Sequence, residues 1–494
     1  MPFSRRSLLL PLILTLSACA VGPDFLRPLL PESAGYAPEP LPPQIAAPDT
    51  STIQKFAPGQ DIAAQWWTAY ESPPLNKLVE QAFAANPDLQ AAQAALRQAQ
   101  ETLSAKEGSY FPTVDAGLSV TREKLSPAAF GQVGAPSSIF TLHNASVSVA
   151  YSLDVFGGTR RGLEALRAQT EAQRFQLEAA SITVAANVVT AAVQEASVKG
   201  QIAATQEIIE IQQHQRDVLQ RQFELGAIAK SPLLAQEAAL AQTLAQLPPL
   251  QKELGRLRNQ LKAYTGRFPS AELEESFDLA TLHLPDTLPV SLPSALVEQR
   301  PDIRAAEAHL HVASAQIGIA TANMLPQVNL TADYGFTSVA TGTLFSPGSV
   351  VWNAGAGLTQ PLFHGGELLH ERRAAVAAYD EAEAQYRSTV LLAFQNVADT
   401  LRALQSDADA LSAQAVAVRA AQDNLTLVHD QFQMGAINYL ALLDAQRTYN
   451  QTKIALVQAQ AARYADTAAL FLALGGGWWN RAEEKVSEEK KSNG

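Results

Sequence analysis

The segment Asn86-Pro87-Asp88-Leu89-Gln90-Ala91-Ala92 returns 214 residues later as Arg300-Pro301-Asp302-Ile303-Arg304-Ala305-Ala306. The same offset pairs Pro112 with Pro326, and Phe156-Gly157-Gly158 is answered by Phe363-His364-Gly365-Gly366 with one inserted residue. Gln222-Phe223-Glu224-Leu225-Gly226-Ala227-Ile228 is answered by Gln431-Phe432-Gln433-Met434-Gly435-Ala436-Ile437 at an offset of 209, which still holds for Gly266 and Gly475. Landmarks in one order at nearly constant separation make the body of the chain two tandem copies. A length of 494 residues, which would suit about three ordinary domains, is thus one unit built twice.

Each copy mixes two periods. Residues 75–110 are rich in Ala, Gln and Leu, and Asn86-Pro87-Asp88 marks a turn or helix start. From Val114 the pattern changes to alternation: Val114, Ala116, Leu118 and Val120 are interleaved with Thr113, Asp115, Ser119 and Thr121. Val147, Val149, Tyr151 and Leu153 alternate in the same way with serines, and the second copy offers Val328 to Phe336 and Trp352 to Leu358. Period two means strands with one apolar face. No Asp, Glu, Lys or Arg lies between Lys124 and Asp154, nor between Asp333 and Glu367. At 17% charge overall, each window should hold about five. A half-buried hairpin of a water-soluble core would fit the alternation, but its solvent face usually carries charge. A transmembrane hairpin fits the alternation and the missing charge together. Tyr151, Tyr334, Phe336 and Trp352 are then lipid-facing or interfacial aromatics.

Four such strands cannot close a barrel, and an open sheet edge in lipid leaves backbone groups unpaired, so the chain must associate with copies of itself. Two copies would only just reach the smallest bacterial barrels of about eight strands. Residues 160–225 contain no proline, which predicts a helix spanning roughly 99 Å, and residues 367–434 repeat it. Residues 230–265 and 75–110 are shorter helical segments, the first broken or kinked at Pro248-Pro249. Each copy therefore reads as one long helix paired with two short ones in line. A proline-rich stretch, 269–293, joins the copies.

The N-terminus bears on compartment. Arg5 and Arg6 precede an apolar run from Leu8 to Leu16, too short to cross a bilayer as a mature helix but suited to an export signal. Leu16-Ser17-Ala18-Cys19 resembles a bacterial lipobox, with the sole cysteine of the chain as the lipidated residue. Ala20 in place of aspartate favours the outer membrane. Nine prolines between residues 20 and 60 make that stretch an extended tether. One cysteine excludes an internal disulfide, and no Cys/His cluster has zinc spacing, so no metal is expected. A net charge of -12 without a basic cluster argues against nucleic acid as a partner.

Together the lipobox with Cys19-Ala20-Val21-Gly22-Pro23-Asp24, Trp66-Trp67, Asn86-Pro87-Asp88-Leu89, Leu153-Asp154-Val155-Phe156-Gly157-Gly158, Arg300-Pro301-Asp302-Ile303, Leu443-Asp444-Ala445-Gln446 and Leu474-Gly475-Gly476-Gly477-Trp478 resemble the TolC-like outer-membrane efflux family. The likeness is to its lipoprotein branch. That resemblance implies a mainly α fold with β: an outer-membrane β-barrel of four strands per chain and twelve in a homotrimer, continued by a long periplasmic α-helical barrel. It implies an exit duct of a tripartite pump, with a periplasmic adaptor protein and an inner-membrane transporter as partners, outer-membrane lipid around it, and no cofactor beyond the covalent lipid (palmitate) on Cys19. The expected division is a signal peptide at 1–18 and a lipidated extended and equatorial segment at 19–74. Repeat 1 follows at 75–266 with its hairpin at about 112–156 and tip near 226. A linker at 267–293 leads to repeat 2 at 294–475, with a hairpin at about 326–363 and tip near 435, and a polar tail at 476–494.

The turns around Phe223-Glu224-Leu225-Gly226 and Phe432-Gln433-Met434-Gly435 join long helices to short ones, and glycine there is at least a helix stop. By the resemblance they are also the gate and adaptor tip. Phe432 takes a position often held by tyrosine and Asp444 an acidic position lining the constriction, whereas Ile437 and Ala441 replace residues that are commonly polar. Phe432, Met434 and Ile437 are expected to close the tip by apolar packing, leaving Asp444 to bias the entrance toward cations. A protein-secretion conduit of the same architecture, or a structural surface lipoprotein, are the alternatives. Enzyme signatures are weak: there is no G-x-S-x-G, Gly355-Ala356-Gly357 is an incomplete dinucleotide loop, and His309 and His311 diverge on a helix. Asn144-Ala145-Ser146 and Asn329-Leu330-Thr331 match a glycosylation pattern that a bacterial strand does not use.

Overall fold

The computed structural model describes residues 20–29, 35, 36, 42, 44, 45, 53–127, 131 and 136–481. Within these, β1 (Gln44–Ile45) and β2 (Gln54–Pro58) lead to α1 (Pro73–Ala85) and α2 (Pro87–Glu107). A long hairpin follows, β3 (Thr113–Leu125) and β4 (Ser138–Leu153), then α3 (Gly158–Glu224), α4 (Lys230–Leu244) and α5 (Leu247–Tyr264). After β5 (Thr287–Val290) come α6 (Pro293–Gln299), α7 (Pro301–Ala322), the hairpin β6 (Gln327–Ser338) and β7 (Val350–Thr359), α8 (Glu367–Gln433) and α9 (Tyr439–Ala473).

Two compact units divide these elements. One holds Leu96–Ala172 and Ala306–Tyr386 with Ala20–Pro28, and its sheet runs β3-β4-β6-β7, antiparallel throughout. The other holds Leu29–Ala95, Gln173–Ala305 and the chain from Arg387, and contains a small sheet β1-β2-β5.

That small sheet was not visible in the sequence. Its strands are two to five residues long, too short to show a period. β2 pairs parallel with β5, so the stretch read as a tether and the stretch read as a linker form one structure. Phe277, Leu273 and Leu282 of the 267–293 stretch are buried beside it. The 476–494 stretch, read as a polar tail, likewise begins inside the core. Trp478 packs edge-on against Phe175 at 5.8 Å and its Nε1 donates to the Gln299 carbonyl at 2.7 Å.

The core of the second unit lies between Trp66, Tyr70, Leu75 and Leu78, the α3 stretch Val184–Ala196, Val397 and Leu401 of α8, and Phe471 of α9. α3 is the one helix, among the described residues, with a window long and apolar enough to cross a membrane, and just over half of that window is buried. Trp66 stacks on Phe471 with centroids 5.2 Å apart, and the Tyr70 hydroxyl donates to the Tyr464 carbonyl at 2.8 Å.

The two Pro-Asp landmarks are helix starts held from behind. Asn86 interrupts the expected 75–110 helix: its Oδ1 accepts from the backbone N–H of Asp88 and Leu89, and its Nδ2 donates to the Tyr264 carbonyl at 3.0 Å. Such an N-cap satisfies donors that a helix start leaves orphaned. Arg300 takes the equivalent place before α7, forking onto Asp302 at 2.6 and 3.0 Å and donating to the Ala473 carbonyl at 2.7 Å. Glycines close the same two junctions. Gly266 and Gly475 have φ of +67° and +93°, and their backbones lie against the carbonyls of Ala85 and Gln299.

Candidate functional site

The four-stranded sheet separates chemistry by face. Its register sets Val114, Ala116, Leu118 and Val120 of β3 opposite Val149, Val147, Ala145 and His143 of β4. The rows continue through Ala332, Tyr334 and Phe336 of β6 to Ala354, Trp352 and Val350 of β7. The alternate face carries Asp115, Ser148, Asp333 and Asn353 in one row, with Ser146, Asn144, Asn329 and Gly357 in others. Directly opposed residues share a face, so Tyr151, Tyr334, Phe336 and Trp352 all lie on the apolar side. Tyr334 is 55% and Trp352 75% exposed, whereas Tyr151 and Phe336 are half-buried, Phe336 beneath Phe345 at 5.3 Å. β3 and β7 are edges with one neighbour each.

Both hairpin loops lie at one end of this sheet, and all four chain connections to helices lie at the other. At the helix end the extended chain from Ala20 is clamped rather than loose. Val21 donates its N–H to the Phe156 carbonyl at 3.0 Å. Buried Arg161 donates to the Val21 carbonyl at 3.1 Å, to Asp24 at 2.7 Å and to Glu164 at 2.7 Å. Gly157 (φ +79°) and Gly22 (φ +96°) permit the close approach, since a Cβ on either would collide with Ala20 or Gly318. Phe25 stacks on His311 at 4.2 Å, and His311 Nε2 meets Glu164 at 2.8 Å. Burial disfavours the Glu164 carboxylate, but the bonds from Arg161 and His311 outweigh it and lower its pKa. Burial also lowers the pKa of His309, two residues before His311. Cys19 lies outside the described residues.

In the other unit, two helix reversals are built alike. Gly226 (φ +71°) and Gly435 (φ +72°) end α3 and α8. Gly226 N–H bonds to the Phe223 carbonyl and Ala227 N–H to Gln222, and Gly435 and Ala436 bond likewise to Phe432 and Gln431, all at 2.8 to 2.9 Å. These are the paired bonds of a left-handed glycine cap. Leu225 (83%) and Met434 (74%) project into solvent. Phe223 is at the margin of exposure, and Ile437 is half-buried.

Phe432 turns inward instead, edge-on to Tyr439 at 5.6 Å, in a cluster with Leu219, Leu233 and Leu442. Tyr439 donates to Gln236, whose Nε2 donates to the Gln212 carbonyl at 2.7 Å, tying α9, α4 and α3 together. Burial pushes the Tyr439 phenol well up. Asp444 is exposed, and Arg447 donates to it at 2.5 Å. Arg447 was missed in the sequence, although its i, i+3 spacing from Asp444 was a usable signal. Asp444 and Arg447 line a cavity of about 500 Å³ with Gln212, Gln242, Leu443 and Asn450.

A two-faced sheet whose apolar side carries charge only at the loop end of β3, followed by very long helices, defines a membrane-inserted channel component rather than an enzyme. The outer membrane efflux protein family model matches residues 78–267 and again 292–476. The pyoverdine export outer membrane protein OpmQ of Pseudomonas putida is 30% identical over 482 residues, covering 97% of this chain and 98% of its own. The cation efflux system protein CusC of Escherichia coli O6:H1 is 27% identical, covering 94% and 97%. The solved outer-membrane channel OprN superposes with a TM-score of 0.82 at 28% identity, covering 93% of this chain and all of its own. The chain belongs to the outer membrane efflux protein family. It is an outer-membrane efflux channel protein that extends into the periplasm.

Proposed function

We propose that three copies of this chain join edge β7 of one to edge β3 of the next, closing a twelve-stranded barrel whose polar face lines a lumen. The observation that carries this reading is the face-segregated sheet with an unpaired edge strand on each side. Unpaired strand edges in hydrocarbon cost several kcal/mol per group, and closure removes them. The apolar rows from Val328 to Phe336 span nine residues of β6, eight steps or about 26 Å along the strand, which suits a bilayer core crossed at a tilt. Two tandem copies generate the four strands, a reading supported by the doubled family match and by the equivalent junctions at Asn86 and Arg300.

The helix end of the sheet then faces the periplasm. Clamping of Ala20–Asp24 beside Phe156-Gly157 holds a lipid on Cys19 at the level of the inner leaflet. The duct passes cargo from an inner-membrane transporter through a periplasmic adaptor that engages the turns at Leu225-Gly226 and Met434-Gly435. Exposed Leu225 and Met434 offer apolar contacts at those tips, while Phe432 packs the turn from within and Ile437 stays half-buried. Asp444 faces the entrance as an ion pair with Arg447, so its cation bias is tempered. Relatives named for pyoverdine export and for cation efflux support a passive duct for small solutes, with the transporter choosing among them. A surface lipoprotein would leave the two-faced sheet unexplained.

The test is to extract the protein in detergent and insert it into planar bilayers. A stable trimer that conducts is expected, with lower cation preference in Asp444→Ala and higher in Arg447→Ala. A monomer without conductance would sink the barrel, and unchanged selectivity in the two variants would remove them from the entrance.

A further inference from the structure

Beyond Val120 the apolar side of β3 does not end in neutral residues. Arg122 and Lys124 continue the same face, two residues apart, opposite Thr141 and Ile139 of β4. Both are exposed. Arg122 makes one long bond to Thr141 Oγ1 at 3.5 Å. The only acid on either hairpin beyond the Asp115–Asp333 row is Glu123, which lies on the opposite, polar face. The loop sequences 126–137 and 339–349 carry no charge, so none of them can neutralise the pair.

Resting on the barrel reading above, we propose that Arg122 and Lys124 bind the phosphates of a phosphorylated glycolipid headgroup in the outer leaflet. The pair lies at the loop end of the sheet, farthest from the helices, beyond Val120 and past the level of the row Leu118, Ala145, Phe336 and Val350. A lipid whose chains pack at the level of Leu118 and Phe336 therefore brings its headgroup to the height of Arg122. Cations spaced by two strand residues sit about 7 Å apart, a separation that two phosphates on one headgroup can address together. The guanidinium supplies a planar fork for phosphate and the ammonium a point charge. In a trimer the strand beside β3 is β7 of the next copy, and neither β7 nor the loop sequence 339–349 before it contains an acid. No acid from that neighbour reaches it either.

The experiment uses the full-length trimer in nanodiscs of phosphatidylcholine containing bisphosphorylated lipid A, its monophosphorylated form or phosphatidylglycerol. Lipid retained per trimer is read by native mass spectrometry. The bisphosphorylated lipid should be retained best and lost at 0.5 M salt. Arg122→Gln with Lys124→Gln should weaken retention roughly 30-fold, about fivefold per basic residue. Glu123→Gln, one residue away on the other face, should retain lipid as the parent does. Equal retention by the double variant, equal weakening in Glu123→Gln, or equal retention of phosphatidylglycerol would overturn the proposal. Conductance of the same parent preparation separates the two readings: a conducting trimer with no lipid preference removes only the lipid site, whereas absence of a trimer removes the barrel and this site with it.

Discussion

The two halves of the chain share a backbone plan and differ in how their return limbs are held. α3 and α8 are each 67 residues long, and Gly226 and Gly435 end them with the same bonds. The limb after Gly226 is broken into α4 and α5, because Pro248 and Pro249 supply no N–H and force a new helix start. The limb after Gly435 is the single 35-residue helix α9. At the positions of the two prolines it has Val457, which packs on Gly200, and Gln458, which donates to Gln201 at 3.1 Å. The second limb also carries polar groups where the first is apolar: Arg463 and Asp466 stand where the first has Leu254 and Leu257. The halves therefore conserve chain reversal and diverge in side-chain locking, so the second is the more specified of the two.

The sharpest way to break that comparison is at the glycine junctions. A Cβ on Gly266 would sit 2.4 Å from the Ala85 carbonyl oxygen, and on Gly475 3.0 Å from that of Gln299. With a positive φ at each, Gly266→Ala should cost about 3 kcal/mol or more and Gly475→Ala about 2. Thermal unfolding of the purified protein followed by circular dichroism measures the difference. Equal losses would mean that strain in φ alone matters and the close approach does not.

The cap residues give the next effect. Arg300→Ala should cost about 2 to 3 kcal/mol, because it leaves the Ala473 carbonyl and Asp302 without their partner. Asn86→Ala loses an N-cap and one long-range bond, about 1 to 2 kcal/mol. If Asn86→Ala proved the more damaging in the same melts, the second junction would not be the better locked.

The sequence made the sheet legible because alternation and absent charge act over ten or more residues, and a register then carries every face assignment. Long helices were legible through the distance between prolines. β1, β2 and β5 were hidden by their shortness, and the burial of Trp478 by the charged residues that follow it. At the tips, Gly226 and Gly435 were readable as stops because only their backbone matters. The inward turn of Phe432 and the masking of Asp444 by Arg447 were not, since a lone aromatic or acid has no periodic context that states its partner.

A smaller effect sharpens the contrast through pH. Partial burial and the neighbouring Asp407 carboxyl push Asp466 up to about 7, whereas the corresponding first-half positions are the buried Val198 and Leu257. A carboxyl whose pKa rises on folding favours the fold while protonated, so stability falls as pH rises from about 4 to about 7 and is flat above. Replacing the pair as in the first half, Asp407→Val with Asp466→Leu, should remove that slope and raise the unfolding temperature at pH 8 by about 2 °C. A slope that survives the replacement would assign it to other groups.

The smallest effect tests whether the difference at the tips can be moved from one half to the other. Asn438 caps α9, its Oδ1 accepting from the Ala441 N–H at 3.1 Å, while Ala229 stands before α4 with no side chain able to accept. Ala229 already has the extended backbone of a capping residue, φ -70° and ψ 162°, so an asparagine there needs no rearrangement. Ala229→Asn should stabilise the first tip by about 0.5 kcal/mol and Asn438→Ala destabilise the second by about 1. Global melts will barely register such changes, because fraying at a helix end is local. Hydrogen exchange at residues 226–234 and 435–443 will, as slower exchange in the first variant and faster in the second. Should exchange at the second tip stay slow in Asn438→Ala, the hold on α9 comes from Tyr439 bonded to Gln236, and the two tips differ by a buried tyrosine rather than by a cap.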